Sequence, residues 1–168
     1  MPIFPVNTAR HEPYQARSFL VFFGQSTAAV AAVNKVGKLS RAAAVVEYME
    51  GGNPVTLKSV GRTKYDPIIL ERGVTQDNDF IAWADAAQKL DQGHATTSLK
   101  DLRREVRIQL LNEAGQPVHG YIIHRCWVSE FQALPDLDAG GNAIAIEHIK
   151  LENEGWEVDP SIVEVPET

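Results

Sequence analysis

Five histidines, one cysteine and one short acidic run are the residues of this chain whose types and spacing could do chemistry. The histidines stand at positions 11, 94, 119, 124 and 148. His119 and His124 are five apart on a strand-like run, where side chains alternate, so they point to opposite faces and do not share a metal. Cys126 lies between Arg125 and Trp127. A neighbouring guanidinium can favour a thiolate, but no partner His and Asn pattern accompanies it, and it reads as a small packed thiol. One cysteine makes neither an intrachain disulfide nor a cysteine-built zinc site. The run DLDAGGNAIAIE, Asp136 to Glu147, places acids at positions 1, 3 and 12 and glycine at position 6 of a calcium loop. Gly140 occupies position 5, however, the flanks read as strands, and Pro135 blocks an entering helix. A turn in which Gly140-Gly141-Asn142 supplies positive φ fits the same letters. Val36-Gly37-Lys38-Leu39-Ser40 fails as a phosphate loop, with Ala32 where the first glycine belongs and Leu39 where Ser or Thr should bind magnesium. No Ser/His/Asp set stands out. The expectation is a protein without catalytic residues, cofactor or metal.

Composition narrows the classes further. A chain of 168 residues with 44% apolar and 23% charged residues is expected to be one ordinary globular domain with a core of its own. The formal net charge of -6 argues against a nucleic-acid-binding surface, which carries a basic stripe. The N-terminal run lacks a basic stretch followed by an apolar one, and no segment approaches 18 apolar residues, so neither a signal peptide nor a membrane anchor is expected. The protein is expected to be made in a cytosol and to leave it only inside a larger object.

Several elements follow from periodicity. Residues 1–16 hold three prolines and read as an N-terminal arm. Arg17 to Gly24 is a continuous apolar strand. Thr27 to Val46, rich in Ala and Val, suits a helix or a strand hairpin, and its β-branched residues favour the hairpin, bent at Gly37 to Ser40. A polar loop follows from Gly51 to Tyr65, with a second turn at Gly61-Arg62-Thr63-Lys64, before a short strand at Ile68 to Arg72. The helix from about Gln76 to Leu90 is capped by Thr75 and has Asp77 and Asp79 in its first turn. Phe80, Ile81, Trp83, Ala84 and Ala87 form its apolar stripe, with Phe80 and Trp83 as its core residues. Residues 91–102 read as a polar loop. Leu102 to Asn112 alternates, with Arg103, Glu105, Arg107 and Gln109 on one face and Val106, Ile108 and Leu110 on the other. A turn at Glu113 to Gln116 returns the chain as Val118 to Val128, continuing to a break at Pro135. Ala143 to Trp156 changes phase, implying a bulge near Glu147-His148. Residues 157–168 read as an acidic, loosely held tail. The expected class is mainly β: an antiparallel barrel or sandwich with one packed α-helix, over residues 17–156.

The runs VVEYMEGG, GRTKYDPIILERGVTQDNDFIAW, LLNEAGQPV and AIEHIKLENEG, with Trp127 and Pro135-Asp136-Leu137, closely resemble the inner-tube proteins of contractile phage tails and related injection systems. The resemblance covers roughly residues 17–156. It implies six subunits in a ring, rings stacked into a tube, a surrounding sheath, a baseplate with its spike, and DNA or a protein effector in the lumen. It places the particle in a virion tail or an extracellular injection apparatus. By the same resemblance, hairpins near 29–50 and 103–127 line the lumen, with Glu105, Arg107, Gln109 and His124 facing it. The loop carrying Gly52, Asn53, Gly61, Arg62 and Lys64 contacts neighbouring subunits. A tube-initiator ring, a type VI secretion tube subunit and a monomeric β-barrel binding module remain alternatives. The Ala-rich segment 28–44 departs from the family pattern.

Overall fold

The sixteen-residue strand β7, Pro117–Gln132, is the spine of the molecule. The computed structural model describes residues 3–30, 33–91 and 99–167. The first half of β7 pairs with β6 (Arg104–Leu111) on one side and β9 (Trp156–Val158) on the other. Its second half pairs with β8, Ile146–Glu152. Between the halves Arg125 takes φ 52°, a conformation costly for a residue with a Cβ. The neighbouring backbone holds it there: His124 N donates to Gly155 O (2.8 Å) and Glu154 N to His124 O (3.1 Å). Outward from this spine, β6 pairs with β1 (Phe19–Phe23), β8 with β5 (Ile68–Gly73), and β5 with β2 (Val33–Val36). Every pairing is antiparallel. Val30 N donates to Val21 O (2.8 Å), so the segment entering β2 lies along β1 and brings the two ends of the strand path close together. The mainly β, antiparallel class expected from the pattern is the one found.

The core follows from strand alternation. Val21 and Phe23, Ile68 and Leu70, Val106 and Ile108, Ile123, Cys126 and Val128, and Ile149 and Leu151 all point inward. Helix α1, Asp79–Asp91, covers this core with Phe80 and Trp83, both 0% exposed. It starts three residues later than the pattern suggests. Asn78 O accepts the first helical bond from Ala82 N (2.9 Å), and Asp77 Oδ1 accepts from Asp79 N (3.0 Å). Ile81, expected in the buried stripe, faces solvent, because α1 meets only a narrow strip of the barrel. Trp83 satisfies its indole N–H on Leu102 O at 2.7 Å, as a buried Trp requires. Leu102 ends α2, a single helical turn at Leu99–Leu102 within the expected polar loop; the rest of that loop, 92–98, lies outside the described residues. Cys126 is fully buried, and burial pushes its thiol up to about 12.

Several expectations are corrected. Residues 29–50 are not one hairpin: β2 pairs with β5, whereas β3 (Arg41–Tyr48) pairs with β4 (Leu57–Tyr65). The polar stretch read as a long loop is therefore mostly strand, with Gly61, Arg62 and Lys64 inside β4 and Gly52 and Asn53 in the hairpin turn. Gly61 looked like a turn residue but serves a close cross-strand approach, since a Cβ there would sit 2.9 Å from Ala44 O. The bulge near Glu147-His148 is absent, and β8 alternates without a break. Glu147 faces inward, so the apparent phase change came from a buried acid rather than a backbone irregularity. Its partner is Arg72, 0% exposed, whose Nε donates to Glu147 Oε1 (2.5 Å) and Nη2 to Asp77 O (2.6 Å). Positive φ occurs at Gly24, Gly52, Gly115 and Gly155, not at Gly140-Gly141. There the Asp138 side chain holds the turn instead, accepting from Gly140 N at 2.9 Å.

The tail is tied down. Glu164 accepts from Val6 N (2.9 Å), Asn7 N (3.0 Å) and Asn7 Nδ2 (3.0 Å), and Glu167 N donates to Asn7 Oδ1 (3.0 Å). Arg10 lies against the rings of Phe4 and Tyr14 and bonds both oxygens of Glu113 (2.8 and 3.0 Å) as well as Glu167. The Arg10 hydrogen bonds lower the Glu113 carboxyl to about 2. Burial opposes ionisation of Glu164, but its hydrogen bonds from Val6 and Asn7 prevail and lower it.

Two predictions follow from this packing. Trp83→Ala should cost about 3–5 kcal/mol, as large aromatic truncations in cores do; an unchanged melting temperature would show α1 to be peripheral. For the terminal clasp, carboxyls lowered in the folded state contribute stability above their ordinary value near 4.5, and that contribution is lost as pH falls through the folded value of about 2 for Glu113. Asn7 side-chain amide signals in NMR should keep their bound positions at neutral pH and move to free-chain positions across that acidic window. Release already complete at pH 6 would contradict the clasp.

Candidate functional site

The β3–β4 hairpin is the feature the rest of the fold does not use. Among the described residues it pairs with no other strand, and all eight residues of β3 are exposed. Alternation and the register give its two faces. One carries Val45 and Val60, 63% and 82% exposed, beside the Glu47–Lys58 ion pair at 3.9 Å. The other carries Ala42, Ala44, Val46, Tyr48 and Leu57. A hairpin alone is marginal in water, and apolar side chains on both faces leave it without the usual half-buried arrangement.

Its root, by contrast, is fixed. Asp66 N donates to Ser40 O (3.1 Å), Ser40 Oγ to Asp66 Oδ2 (2.6 Å), and Asn153 Nδ2 to Asp66 O (3.1 Å). Tyr65 meets Trp156 edge-on at 6.4 Å, and Arg41 lies 5.2 Å over the same indole. A rigid body thus presents a two-stranded arm whose root is held and whose faces are uncovered.

A second surface is the polar face of β6 and β7. Glu105 and His124 come together there, with His124 Nδ1 3.6 Å from Glu105 and Nε2 3.1 Å from Glu157 of β9. Arg103 and Arg125 both reach Glu154. Gln109 lies on this face opposite Gly120. Arg107 is less available than an isolated strand suggests: its Nη2 donates to Ser26 O (2.5 Å) and its guanidinium sits 5.1 Å from the Phe22 ring centre. Opposed charges are largely paired within this face. Among the described residues no group of His, Cys, Asp and Glu could hold a metal ion.

The family model of the T4-like virus tail tube protein gp19 matches residues 15–157. The chain belongs to this family. It is a structural tail-tube protein, and similar solved structures carry the same fold. A chain of the anti-feeding prophage baseplate, 6-fold symmetrised, is 25% identical with a TM-score of 0.72, covering 89% of this chain and 97% of that one. A chain of the PVC sheath-tube complex in the extended state is 19% identical with a TM-score of 0.74, covering 94% and 99%. A chain of the anti-feeding prophage tube-terminating cap is 22% identical with a TM-score of 0.74, covering 95% and 99%. No curated protein matches.

Within this tail-tube protein, alternation from 103 to 109 was enough to place Glu105, Arg107 and Gln109 on one strand face. The exposed valines escaped notice because an apolar residue on a strand is read as inward by default. The signal that could have found them is the near absence of polar alternation in RAAAVVEY, which leaves no solvent face. The register of the hairpin should depend on Gly61. Gly61→Val must push Ala44 backbone aside, so amides of 41–48 should lose hydrogen-exchange protection while the melting temperature stays within about 2 °C, since the arm lies outside the core. Retained protection would show that the close approach is not needed.

Proposed function

We propose that this chain is the repeating subunit of the inner tube of a contractile tail or injection system, with six copies per ring and rings stacked around a lumen. The observation that carries this reading is the arm, which is anchored at its root and apolar on both faces. Apolar faces of this kind are stable in water only when covered, and copies of the same chain cover them in a ring whose contacts repeat head to tail. Closing strands into a ring also removes sheet edges that otherwise pair without control. Similar chains found in a baseplate and in a sheath-tube complex support sheath and baseplate proteins as partners. The β6–β7 face with Glu105, Arg107, Gln109 and His124 is proposed to border the lumen, where DNA or a protein effector travels. Gly52, Asn53, Gly61, Arg62 and Lys64, all in the arm, are proposed to lie at contacts between subunits. Assembly is proposed to occur in a cytosol; no helix among the described residues is long and apolar enough to cross a membrane.

The test is electron microscopy of the protein co-expressed with its sheath and baseplate. Wild type should form tubes with sixfold end views. Val60→Asp should keep the circular dichroism and melting temperature of wild type, because exposed substitutions shift stability by only about 0.5 kcal/mol, yet form few or no tubes. Monomeric wild type under these conditions would overturn the reading.

A further inference from the structure

The arm has a candidate receptor on the same chain, at the far end of the body. The connection between β7 and β8, residues 133–145, carries Leu134, Leu137 and Ile144 exposed at its surface, the last two at 72% and 78%. Behind them lies an open concavity of about 490 Å³, lined by Leu137, Ala139, Ala143, Ile144 and Ile146 among others. The loop is already shaped: Gly141 N donates to Asp138 O (3.0 Å), and Val74 N to Ala145 O (3.0 Å). A preformed surface binds without the cost of ordering it.

Position and charge both match the arm. The register of β5 on β8 runs from Ile68↔Leu151 to Gly73↔Ile146. The arm enters β5 at its first end through Asp66-Pro67, and the loop enters β8 at the other. Six residues of strand separate the ends by roughly 17 Å. Two different apolar surfaces at opposite ends of one body can meet only between copies, and the contact then repeats without closing. The arm, residues 41–65, bears four cations (Arg41, Lys58, Arg62, Lys64) and two carboxylates (Glu47, Glu50), whereas the loop bears Asp136 and Asp138 and no cation. Lys58 is taken by Glu47 on the Val60 face, whereas Lys64, opposite Ala42 in the register, lies on the face of Val46 and Leu57 and is left to face the acidic loop.

Resting on the tube-subunit reading above, we infer that the 133–145 loop is the docking surface for the β3–β4 arm of a second copy in the next ring. Val46 and Leu57, on the face of the arm that Lys64 shares, cover Leu137 and Ile144, and Lys64 approaches Asp136. This is a heterologous contact, and one copy both gives and receives it.

Cysteine pairing tests the contact directly. In Val46→Cys/Ile144→Cys, assembled tubes treated with a short bismaleimide should give a ladder of dimers, trimers and longer species on a denaturing gel. Neither single variant should give a ladder. The native Cys126 does not compete, being buried with its thiol pushed up. Dimers without longer species would indicate a closed two-fold contact and overturn the inference; normal tubes without any crosslink would do so too. Charge reversal gives an independent reading. Asp136→Lys and Lys64→Glu should each lower tube yield about tenfold, and the double variant should recover most of it, as paired interface charges do. If Asp136→Lys and Ile144→Asp build tubes like wild type while Val60→Asp does not, the tube reading stands and this docking surface falls. If the wild type builds no tube beside its sheath and baseplate, the tube reading itself has failed.

Discussion

The Arg72 guanidinium is the interaction on which the architecture depends. It sits in the core at 0% exposure, bonded to Glu147 of β8, to the backbone at Asp77 before α1, and stacked 4.1 Å from the centre of the Phe80 ring. Strand β5, strand β8 and the start of the helix therefore meet on one planar cation. Removing an ion of this size from water costs several kcal/mol, and a buried pair offsets that cost only with good geometry and further hydrogen bonds. Here the cross-strand pairing Arg72↔Glu147 supplies the geometry, and the fork of the guanidinium supplies several donors at fixed angles. A lysine could supply the charge but not the simultaneous bonds to strand and helix. Its value lies in specificity of arrangement, since an apolar replacement of the pair could fill the same volume without fixing where α1 begins.

From that fixed point the division of labour in the molecule follows. The barrel and α1 bury their apolar residues against each other and need no partner. The β3–β4 arm buries almost nothing of its own, yet its root is held by Ser40, Asp66, Asn153, Tyr65 and Trp156. Local stability thus differs sharply along one chain, as it does wherever an element completes its packing only on a partner. The arm is long because its strands pair with each other along their whole length, and it is held in direction because the hydrogen bonds stand at the base.

How much of this was legible in the sequence depended on whether burial matched residue type. Where apolar residues faced inward and charges outward, as in 103–109, alternation gave the strand and its faces; in β7 the left-handed Arg125 shifts the phase, so that Ile123 and Cys126 both point inward. Where the rule was broken, the reading slipped. Glu147 is a buried acid, and treating it as outward created a bulge that β8 does not have. Val60 is exposed, and the polar residues beside it made β4 look like a loop. Phe80 and Trp83 were legible because helical periodicity and size agreed; Ile81 was not, because only the packing partner sets how wide the buried stripe is. Arg10 and Glu113 are far apart in sequence, and no local pattern could have joined them. The departures cluster at the arm and at the Arg72 site, where tertiary partners decide the outcome and local preference does not.

The terminal clasp closes the chain almost into a ring, through hydrogen bonds and an ion pair rather than covalent bonds. Asn7 and Glu164 are 157 positions apart and share direct hydrogen bonds, so the polypeptide returns to its starting corner after visiting every strand. Loop-closure entropy grows only with the logarithm of length, each doubling adding about 0.6 kcal/mol, which makes so distant a closure thermodynamically accessible to a few hydrogen bonds and ion pairs. The order of strands along the chain is then separable from their order in space. A peptide joining the two ends and a cut in an exposed turn elsewhere would give a circular permutant with the same barrel.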